Sequence, residues 1–401
     1  MSLRLKLKVN KKDLFLFLLL LPMMEPYAFG VMFKDLNRLF VLFKILVSIY
    51  IAYRYIRTKI LKRQTKSPIT IAWTCFWAFL IVNTLVRGDM TNNFISGSLC
   101  MISCMMLIDM NMDYPKRTLN VLMVWADILI YVNFATMLLF PNGLYQSSVT
   151  SHWENWLLGY DNFFEQVFIP ALTIAFIYGY LYRKYFRAGL LIAIIHLSAA
   201  ITTPGTLVFC LLYMDAMLFL GIYRMKRVFS LKNLIVVILG VTAGIILFDF
   251  QTRFGGFIFS LLNKDVTFTG RTRIWELSLY QISRSPIWGY GFSDGELRLA
   301  KMNYLMRGAY NCHNQYLEFL WEGGAILFVI FIIAVVIMCK KSDNTKQLRT
   351  TQILAIGVSA FFITFIAKAH VQMCPIYFAV LMALTNYSKE LEASRVGKNG
   401  K

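Results

Sequence analysis

The sequence HNQYLEFLWEGGAILFVIFIIAVVIM, residues 313–338, decides the fold class. Its apolar part exceeds the roughly 20 residues that a helix needs to cross a bilayer. The polar residues His313 and Asn314 stand at its start, and a glycine pair, Gly323 and Gly324, follows about three turns later. The run therefore predicts a membrane-spanning helix with polar side chains at its N-terminal end.

Comparable apolar runs recur along the whole chain, which is 58% hydrophobic and has a mean hydropathy of +0.58. We expect an all-α polytopic membrane protein with about 12 transmembrane helices. The first run is interrupted by Pro22 and Pro26. The predicted spans are residues 14–31, 36–53, 68–86, 94–110, 119–140, 163–182, 188–203, 205–223, 231–249, 313–338, 351–368 and 370–387.

The connectors between these runs predict the orientation, because Lys and Arg in short loops are retained in the cytoplasm. With twelve spans, every basic cluster falls on one side: the N-terminus and residues 54–66, 116–117, 183–187, 224–232, 340–349 and 389–401. Both termini are then cytoplasmic, and residues 250–312 form a long extracytoplasmic loop containing short helices. We expect residues 1–401 to form a single integral membrane domain, and any chemistry carried by the long loop is then extracytoplasmic.

Charge and cysteine content exclude some function classes. The net charge of +20 arises mainly from the short connectors, so it indicates membrane orientation and no nucleic-acid partner. The seven cysteines form no CxxC pair and lie mostly in apolar runs, where Cys behaves as a small hydrophobic residue. The sequence therefore predicts no metal site, no disulfide framework and no cofactor.

Residues 249–324 contain the polar groups that suit chemistry at a membrane surface. Arg271 and Arg273 precede a short amphipathic helix whose apolar stripe, which includes Trp275, is expected to lie on the membrane. An arginine at a helix N-terminus is suited to phosphate, since the guanidinium and the free backbone amides both donate hydrogen bonds. Contact with anionic lipid head groups would explain the same pattern.

Two further features follow on this segment. The sequence SPIWGYG, residues 285–291, predicts a sharp reversal in which glycine permits close backbone approach. A neutral His313 would accept a proton from a sugar hydroxyl, whereas a protonated one would pair with pyrophosphate. A helix-capping or interfacial role with no part in chemistry is the more usual explanation of His313 and Asn314 on this pattern alone.

Ionisable residues inside the apolar runs keep another function class open. Charged groups are costly in hydrocarbon and mark functional sites. Asp215 and Lys368 are the two that stand out, and both are compatible with a transporter. A lipid-linked oligosaccharide flippase or other transporter is therefore the alternative from a different class.

The ordered motifs GRTRIW (270–275), PIWGYG (286–291) and HNQYL with a following glycine pair (313–324) resemble those of the O-antigen ligase and Wzy-type polysaccharide polymerase superfamily. The resemblance implies a membrane glycosyltransferase of the GT-C kind that needs no metal or nucleotide sugar. Such enzymes transfer a glycan from undecaprenyl pyrophosphate to a hydroxyl. The leading expectation is a polymerase for a capsule, exopolysaccharide or O-antigen, and the alternative is a ligase that uses lipid A core.

The resemblance also implies roles for individual residues. Arg271 would hold the donor pyrophosphate, and His313 would activate the acceptor hydroxyl or assist the leaving group. The substrate-binding candidates are Arg273, Trp275, Tyr290, Asn314, Arg253 and Arg87. Expected partners are an undecaprenyl-pyrophosphate-linked oligosaccharide and membrane lipid, with a flippase and a chain-length regulator as further candidates.

One part of the family pattern is absent. The family often has a Ser-Arg pair in an outer turn between two middle spans, whereas this turn reads TTPGT, residues 202–206, without an arginine. Either Arg273, Arg253 or Arg87 supplies the charge, or the acceptor is bound differently.

Overall fold

The computed structural model describes residues 10–62, 64, 67–146, 154–219, 230–248, 271–293, 298, 300–301, 311–369 and 376–396, which are helical with short connectors. This confirms the predicted all-α class. The helices are α1 Lys11–Leu20, α2 Tyr27–Met32, α3 Lys34–Tyr55, α4 Pro68–Arg87, α5 Asn92–Asn111, α6 Pro115–Leu139, α7 Glu165–Tyr182, α8 Tyr185–Thr202, α9 Gly205–Phe219, α10 Leu231–Phe248, α11 Arg271–Arg284, α12 Gln315–Asp343, α13 Arg349–Ala367, α14 Ile376–Thr385 and α15 Ser388–Ala393.

Seven helices of the described chain are long and apolar enough to cross a membrane: α3 with its π-helical extension to Ile60, α4, α5, α6, α8, α12 and α13. Three shorter apolar helices, α9, α10 and α14, correspond to further predicted spans. The first predicted span is divided into α1, a short 3-10 turn and α2, because Pro22 and Pro26 cannot continue the backbone hydrogen bonding.

An aromatic core joins the helices from both halves of the chain. Trp73 and Phe76 of α4 are fully buried, and Phe76 packs edge-on against Phe319 of α12 with ring centroids 5.2 Å apart. Phe361 of α13 stacks on Phe378 of α14 at 5.1 Å. These contacts fix α4, α12, α13 and α14 against one another.

Most charged side chains inside the helical bundle have a partner of opposite charge or a hydroxyl donor. Asp215, which the sequence singles out, lies 2.9 Å from His196 Nε2 across the α8–α9 hairpin. The other pairs are Arg187 with Asp127, Lys44 with Glu25, and Asp109 with the hydroxyls of Tyr55 and Tyr387. Pairing lowers the cost of placing these groups among apolar helices.

The long helix α12 is broken at Gly324, which has φ 59° and ψ −158°. The break leaves backbone groups of the helix without their usual partners. The carbonyls of Trp321 and Glu322 accept from the N–H groups of Tyr290 and Gly291 at 2.8 and 2.9 Å.

The same loop also supplies the acceptors on the other side of the break. Ala325 and Ile326 donate to the carbonyls of Pro286 and Ile287 at 2.8 and 3.3 Å. The PIWGYG loop therefore replaces the missing helical hydrogen bonds of α12. This exchange gives the second and third motifs of the sequence a shared structural role.

The end of α4 holds the same loop from the other side. The side-chain amide of Asn83 donates to the carbonyls of Trp288 and Glu322 at 2.8 and 2.7 Å. Thr84 Oγ1 accepts from Phe292 N at 2.9 Å, and Asp89 N donates to the Phe292 carbonyl at 2.8 Å. The C-terminal end of α4 and the first three turns of α12 thus lie at one end of the bundle.

Helix α11 is amphipathic, as predicted, but its apolar stripe packs on protein. Ile274, Trp275 and Ile282 form a small buried cluster with Leu317 and Trp321 of α12. The expectation that this stripe lies on the membrane surface is therefore wrong. The buried face of α12 offered the stripe an apolar partner within the protein, and Trp275 is 2% exposed there.

Substituting Gly324 with alanine should destabilise the protein. A Cβ atom at this position would lie 2.3 Å from the carbonyl carbon and oxygen of Ile287, and its backbone conformation is essentially restricted to glycine. We expect a loss of at least about 2 kcal/mol in the free energy of unfolding. Thermal denaturation in detergent, followed by size exclusion, measures the shift.

Gly240→Ala in α10 is the matched control. A Cβ atom on Gly240 meets no heavy atom within 4 Å beyond its own helix backbone. Its melting temperature should equal or slightly exceed that of the wild type, since alanine favours a helix. Equal melting temperatures for the Gly324 and Gly240 variants would contradict the proposed importance of the break.

Candidate active site

His313 lies directly before α12 in an uncommon backbone conformation, with φ 46°. Its N–H group donates to Asn311 Oδ1 at 2.8 Å, which holds the turn. Left-handed conformations of residues other than glycine are costly, and they cluster at active sites and ligand clamps. The local structure thus fixes the imidazole at the N-terminal end of α12.

The surroundings of His313 keep the imidazole neutral at physiological pH. Burial lowers its pKa from 6.5 to about 4. The neighbouring cations Arg271, Lys368 and Arg298 lower the pKa further, and Glu318 opposes them. Of the two chemical roles considered from the sequence, this environment favours a neutral proton acceptor over a cation that pairs with pyrophosphate.

Asn314 is fully buried and caps α12. Its Oδ1 atom accepts from the N–H groups of Tyr316 and Leu317 at 3.0 and 3.1 Å. Its amide donates to the carbonyl of Ile366 at 2.9 Å, which ties α12 to the end of α13. Asn314 therefore positions the turn that carries His313, and its predicted contact with substrate stays a prediction.

Arg271 is the first residue of α11 and is half-buried. Burial lowers the pKa of its guanidinium, while Tyr160 and Glu165 act in the opposite direction. Within the described part of the chain, Arg271 has no carboxylate within ion-pair distance. It is thus a cation at a helix N-terminus, close enough to His313 to affect that residue's pKa, and suited to an anionic ligand.

The motifs do not include Arg298, which the structure brings to this cluster. Arg298 is 3% exposed, and its Nη1 atom lies 2.5 Å from Glu318 Oε1. Its guanidinium also lies 5.1 Å from the ring centroid of Trp321. The other oxygen of Glu318 accepts from Cys312 N at 2.9 Å, so this pair braces the turn before His313.

A second buried ion pair joins Lys368 to Glu165, which is fully buried at the start of α7. Lys368 Nζ also donates to the carbonyl and side-chain oxygens of Asn162 at 2.8 and 3.1 Å. The sequence singled out Lys368 as an ionisable residue of an apolar run. Its charge lowers the pKa of His313, so it belongs to the same cluster.

Arg273 and Trp275 follow Arg271 but point elsewhere. Arg273 is exposed, whereas Trp275 lies in the buried cluster between α11 and α12. Two consecutive turns of one helix thus present Arg271 to the cluster and Trp275 to the core. The predicted contacts of both residues with substrate stay predictions.

Tyr290 and Arg87 lie along the docked loop. The hydroxyl of Tyr290 donates to the Gln281 carbonyl at 2.7 Å, which fastens α11 to the loop. Arg87, at the exposed end of α4, lies over the ring of Trp288 at 5.8 Å. Arg253 lies outside the described residues.

The turn between α8 and α9 contains no arginine, and Thr203 there adopts a left-handed conformation with φ 51°. Lys368 and Arg298 place positive charge close to His313, and whether either serves in place of the missing arginine stays a prediction. No spacing in the sequence could reveal this arrangement, because each residue reaches the cluster through long-range packing.

Breaking the Glu165–Lys368 pair should destabilise the protein more than removing both charges. Lys368→Met leaves a buried carboxylate without its cation, which costs roughly 3–5 kcal/mol. The double variant Glu165→Gln/Lys368→Met should recover most of that loss, as measured by thermal denaturation in detergent. A double variant less stable than Lys368→Met would show that the pair is not coupled.

Residues 166–332, from the first turn of α7 into α12, match the family model described as O-antigen ligase. The matched region includes both Arg271 and His313. No curated protein matches the chain. The match supports the similarity of this region to the O-antigen ligase and Wzy-type superfamily of membrane glycosyl-transferring enzymes, which the ordered motifs also indicate.

Proposed function

We propose that the protein is a polysaccharide polymerase that joins repeat units carried on undecaprenyl pyrophosphate into a surface polysaccharide. The observation that carries this proposal is the Arg271–His313 cluster, which combines a neutral imidazole with a cation that has no carboxylate partner among the described residues. A glycosyl transfer from a pyrophosphate needs both an anion-binding group and a proton acceptor. The cluster offers the two side by side.

Arg271 and the start of α11 bind the donor pyrophosphate. The guanidinium donates paired hydrogen bonds to phosphate oxygens, and the free N–H groups of the first helical turn add further donors. Negative charge on the pyrophosphate grows as the glycosidic bond breaks. A fixed cation at that position therefore stabilises the transition state more than the bound substrate.

His313 accepts the proton of the acceptor hydroxyl. The hydroxyl oxygen forms a bond to the anomeric carbon while the bond from that carbon to the pyrophosphate oxygen breaks. The electron pair leaves with undecaprenyl pyrophosphate, the proton moves to the imidazole, and the anomeric carbon is inverted. Because pyrophosphate is a good leaving group, the reaction needs no metal ion and no nucleotide sugar.

Binding of the donor also changes the pKa of His313. The cation of Arg271 helps to hold the pKa of His313 at about 4 in the free protein. A bound pyrophosphate brings negative charge beside Arg271, which offsets the repulsion felt by an imidazolium. His313 then becomes a stronger proton acceptor when the donor is in place.

A ligase that transfers the finished glycan to lipid A core is the second candidate, because the matching family model is described as O-antigen ligase. Both reactions use the same donor chemistry and differ in the acceptor. A flippase is less consistent with the structure. Transporters place their polar groups near the midplane, whereas these groups gather at the ends of α7, α12 and α13, although α12 is itself interrupted at Gly324.

The reaction takes place on the outer face of a bacterial cytoplasmic membrane. The distribution of Lys and Arg in the connectors supports this sidedness, with both termini in the cytoplasm. The substrate is then a lipid-linked repeat unit that a separate flippase delivers. A chain-length regulator is a further candidate partner.

Purified protein given a lipid-pyrophosphate repeat unit should produce a ladder of longer glycans, with or without EDTA. Arg271→Ala and His313→Gln should each lower the rate by on the order of 100-fold or more, because each removes a charge-stabilising or proton-accepting group. Gel electrophoresis of the glycans measures the ladder.

Arg284→Ala is the matched control, since Arg284 is exposed in the last turn of the same helix. It should retain the wild-type ladder. A full ladder from folded Arg271→Ala and His313→Gln would refute the assigned roles. One transfer to lipid A core without a ladder would identify a ligase, and movement of lipid across vesicles without transfer would identify a flippase.

The pH dependence should reveal the neutral imidazole. Because the deprotonated form of His313 is active, the rate should fall as the pH decreases. For the free protein, the midpoint of kcat/KM should approach the pKa of about 4. The midpoint of kcat should lie higher, since the bound donor favours the imidazolium. Steady-state rates between acid and neutral pH measure both midpoints. The residual activity of His313→Gln should not fall as the pH decreases. If its rate still falls at acid pH, another group is the base.

A further inference from the structure

A cavity of about 330 Å³ lies beside the Arg271–His313 cluster and has no role in the reaction described above. It is bounded by the α2 segment and by the N-terminal parts of α3, α5, α7 and α14. Its volume falls in the range of small-ligand sites, which begins at about 300 Å³. Apart from the first turn of α7, its walls lie outside residues 166–332.

The polar groups of the cavity include acceptors without donors. Glu25 Oε2 pairs with Lys44, but Glu25 Oε1 is buried and has no hydrogen-bond partner among the residues that the structure describes. Gln166 also lines the cavity and is 2% exposed, and its Oε1 atom is likewise buried without a partner in the described part of the chain. A buried acceptor left without a donor is costly, so two such atoms indicate a ligand that donates hydrogen bonds.

The other residues that line the cavity indicate which kind of ligand it fits. Asn37, Asn93 and Ser96 add polar groups, while Tyr27 and Phe163 offer aromatic faces. The Lys44–Glu25 pair cancels the charge on one wall, and the unpaired acceptors disfavour an anion. A neutral ring with several hydroxyl donors and an apolar face fits these walls, whereas a phosphate head group does not.

The cavity and the Arg271–His313 cluster share a wall. Glu165 pairs with Lys368 in the cluster, while the next residue, Gln166, lines the cavity; consecutive residues of a helix point about 100° apart. Tyr160 interacts electrostatically with both Arg271 and Tyr27. A ligand in the cavity is therefore adjacent to the groups that bind the donor.

We propose that this cavity binds a sugar ring of the acceptor glycan and thereby selects which glycan is extended. This assignment rests on the proposed function for the identity of the glycan. Glu25 and Gln166 accept from two ring hydroxyls, and Tyr27 packs on the apolar face of the ring. The N-terminal helices and α14 thus supply acceptor specificity to a reaction centre built by α7, α11 and α12.

Binding of the free repeat-unit glycan, released from its lipid carrier, tests the proposal without any turnover. Isothermal titration of the purified full chain in detergent measures the Kd of this probe. Gln166→Leu removes one acceptor at nearly constant volume. Gly97→Leu in α5 fills the cavity, because a Cβ atom on Gly97 meets nothing within 4 Å beyond its own helix backbone.

Both variants should raise the Kd of the glycan at least about tenfold, as expected for lost hydrogen bonds and lost space. Gly189→Leu in α8 is the matched control, since its Cβ atom also meets nothing within 4 Å and Gly189 does not line the cavity. It should bind the glycan as the wild type does. Binding of undecaprenyl pyrophosphate without sugar should be the same in all four proteins.

Wild-type glycan affinity in folded Gly97→Leu would overturn the assignment. Weakened binding of undecaprenyl pyrophosphate, with unchanged glycan binding, would identify a lipid head-group site and refute it as well. If the cavity assignment is right but the proposed function is wrong, a different result is expected. The wild type would then bind the glycan through this cavity but form no ladder and transfer nothing to lipid A core.

Discussion

The break in α12 is the constraint on which the site depends. A helix interrupted at Gly324 leaves carbonyl and N–H groups that an apolar environment cannot satisfy. The loop at residues 286–291 satisfies them, and Asn83 of α4 holds loop and helix together. Because α11 is fastened to the same loop through Tyr290, this set of hydrogen bonds also fixes the helix that begins with Arg271. The backbone exchange thereby helps to position both Arg271 and the helix that follows His313.

The same packing also places the charged groups that surround the imidazole of His313. Two cations near the imidazole, Arg298 and Lys368, each have a buried carboxylate, whereas Arg271 has none in the described part of the chain. The paired cations add positive potential without being available to a ligand. They disfavour the imidazolium while Arg271 stays ready for an anion. In the proposed reaction, separate groups of the cluster would hold charge and accept a proton.

The sequence predicted the fold class well, because a long apolar run is a local signal that needs no knowledge of its partners. It also predicted the amphipathic character of α11, whereas the roles that it assigns to Arg271 and His313 stay predictions. It misplaced the stripe around Trp275, since amphipathicity does not reveal whether the apolar face meets lipid or protein. Arg298 and the Glu165–Lys368 pair could not be predicted, because these contacts arise only when distant elements fold together.

The exchange of hydrogen bonds at Gly324 also bears on how the chain is inserted during synthesis. Both partners of the break precede it in the sequence: α4 is made first, and the loop at residues 286–291 follows before α12. When Gly323 and Gly324 leave the ribosome, the groups that form hydrogen bonds with the interrupted helix have already been synthesised. The hydrogen bonds at the break thus require no segment that has yet to be translated, and vectorial synthesis delivers these partners in the order needed.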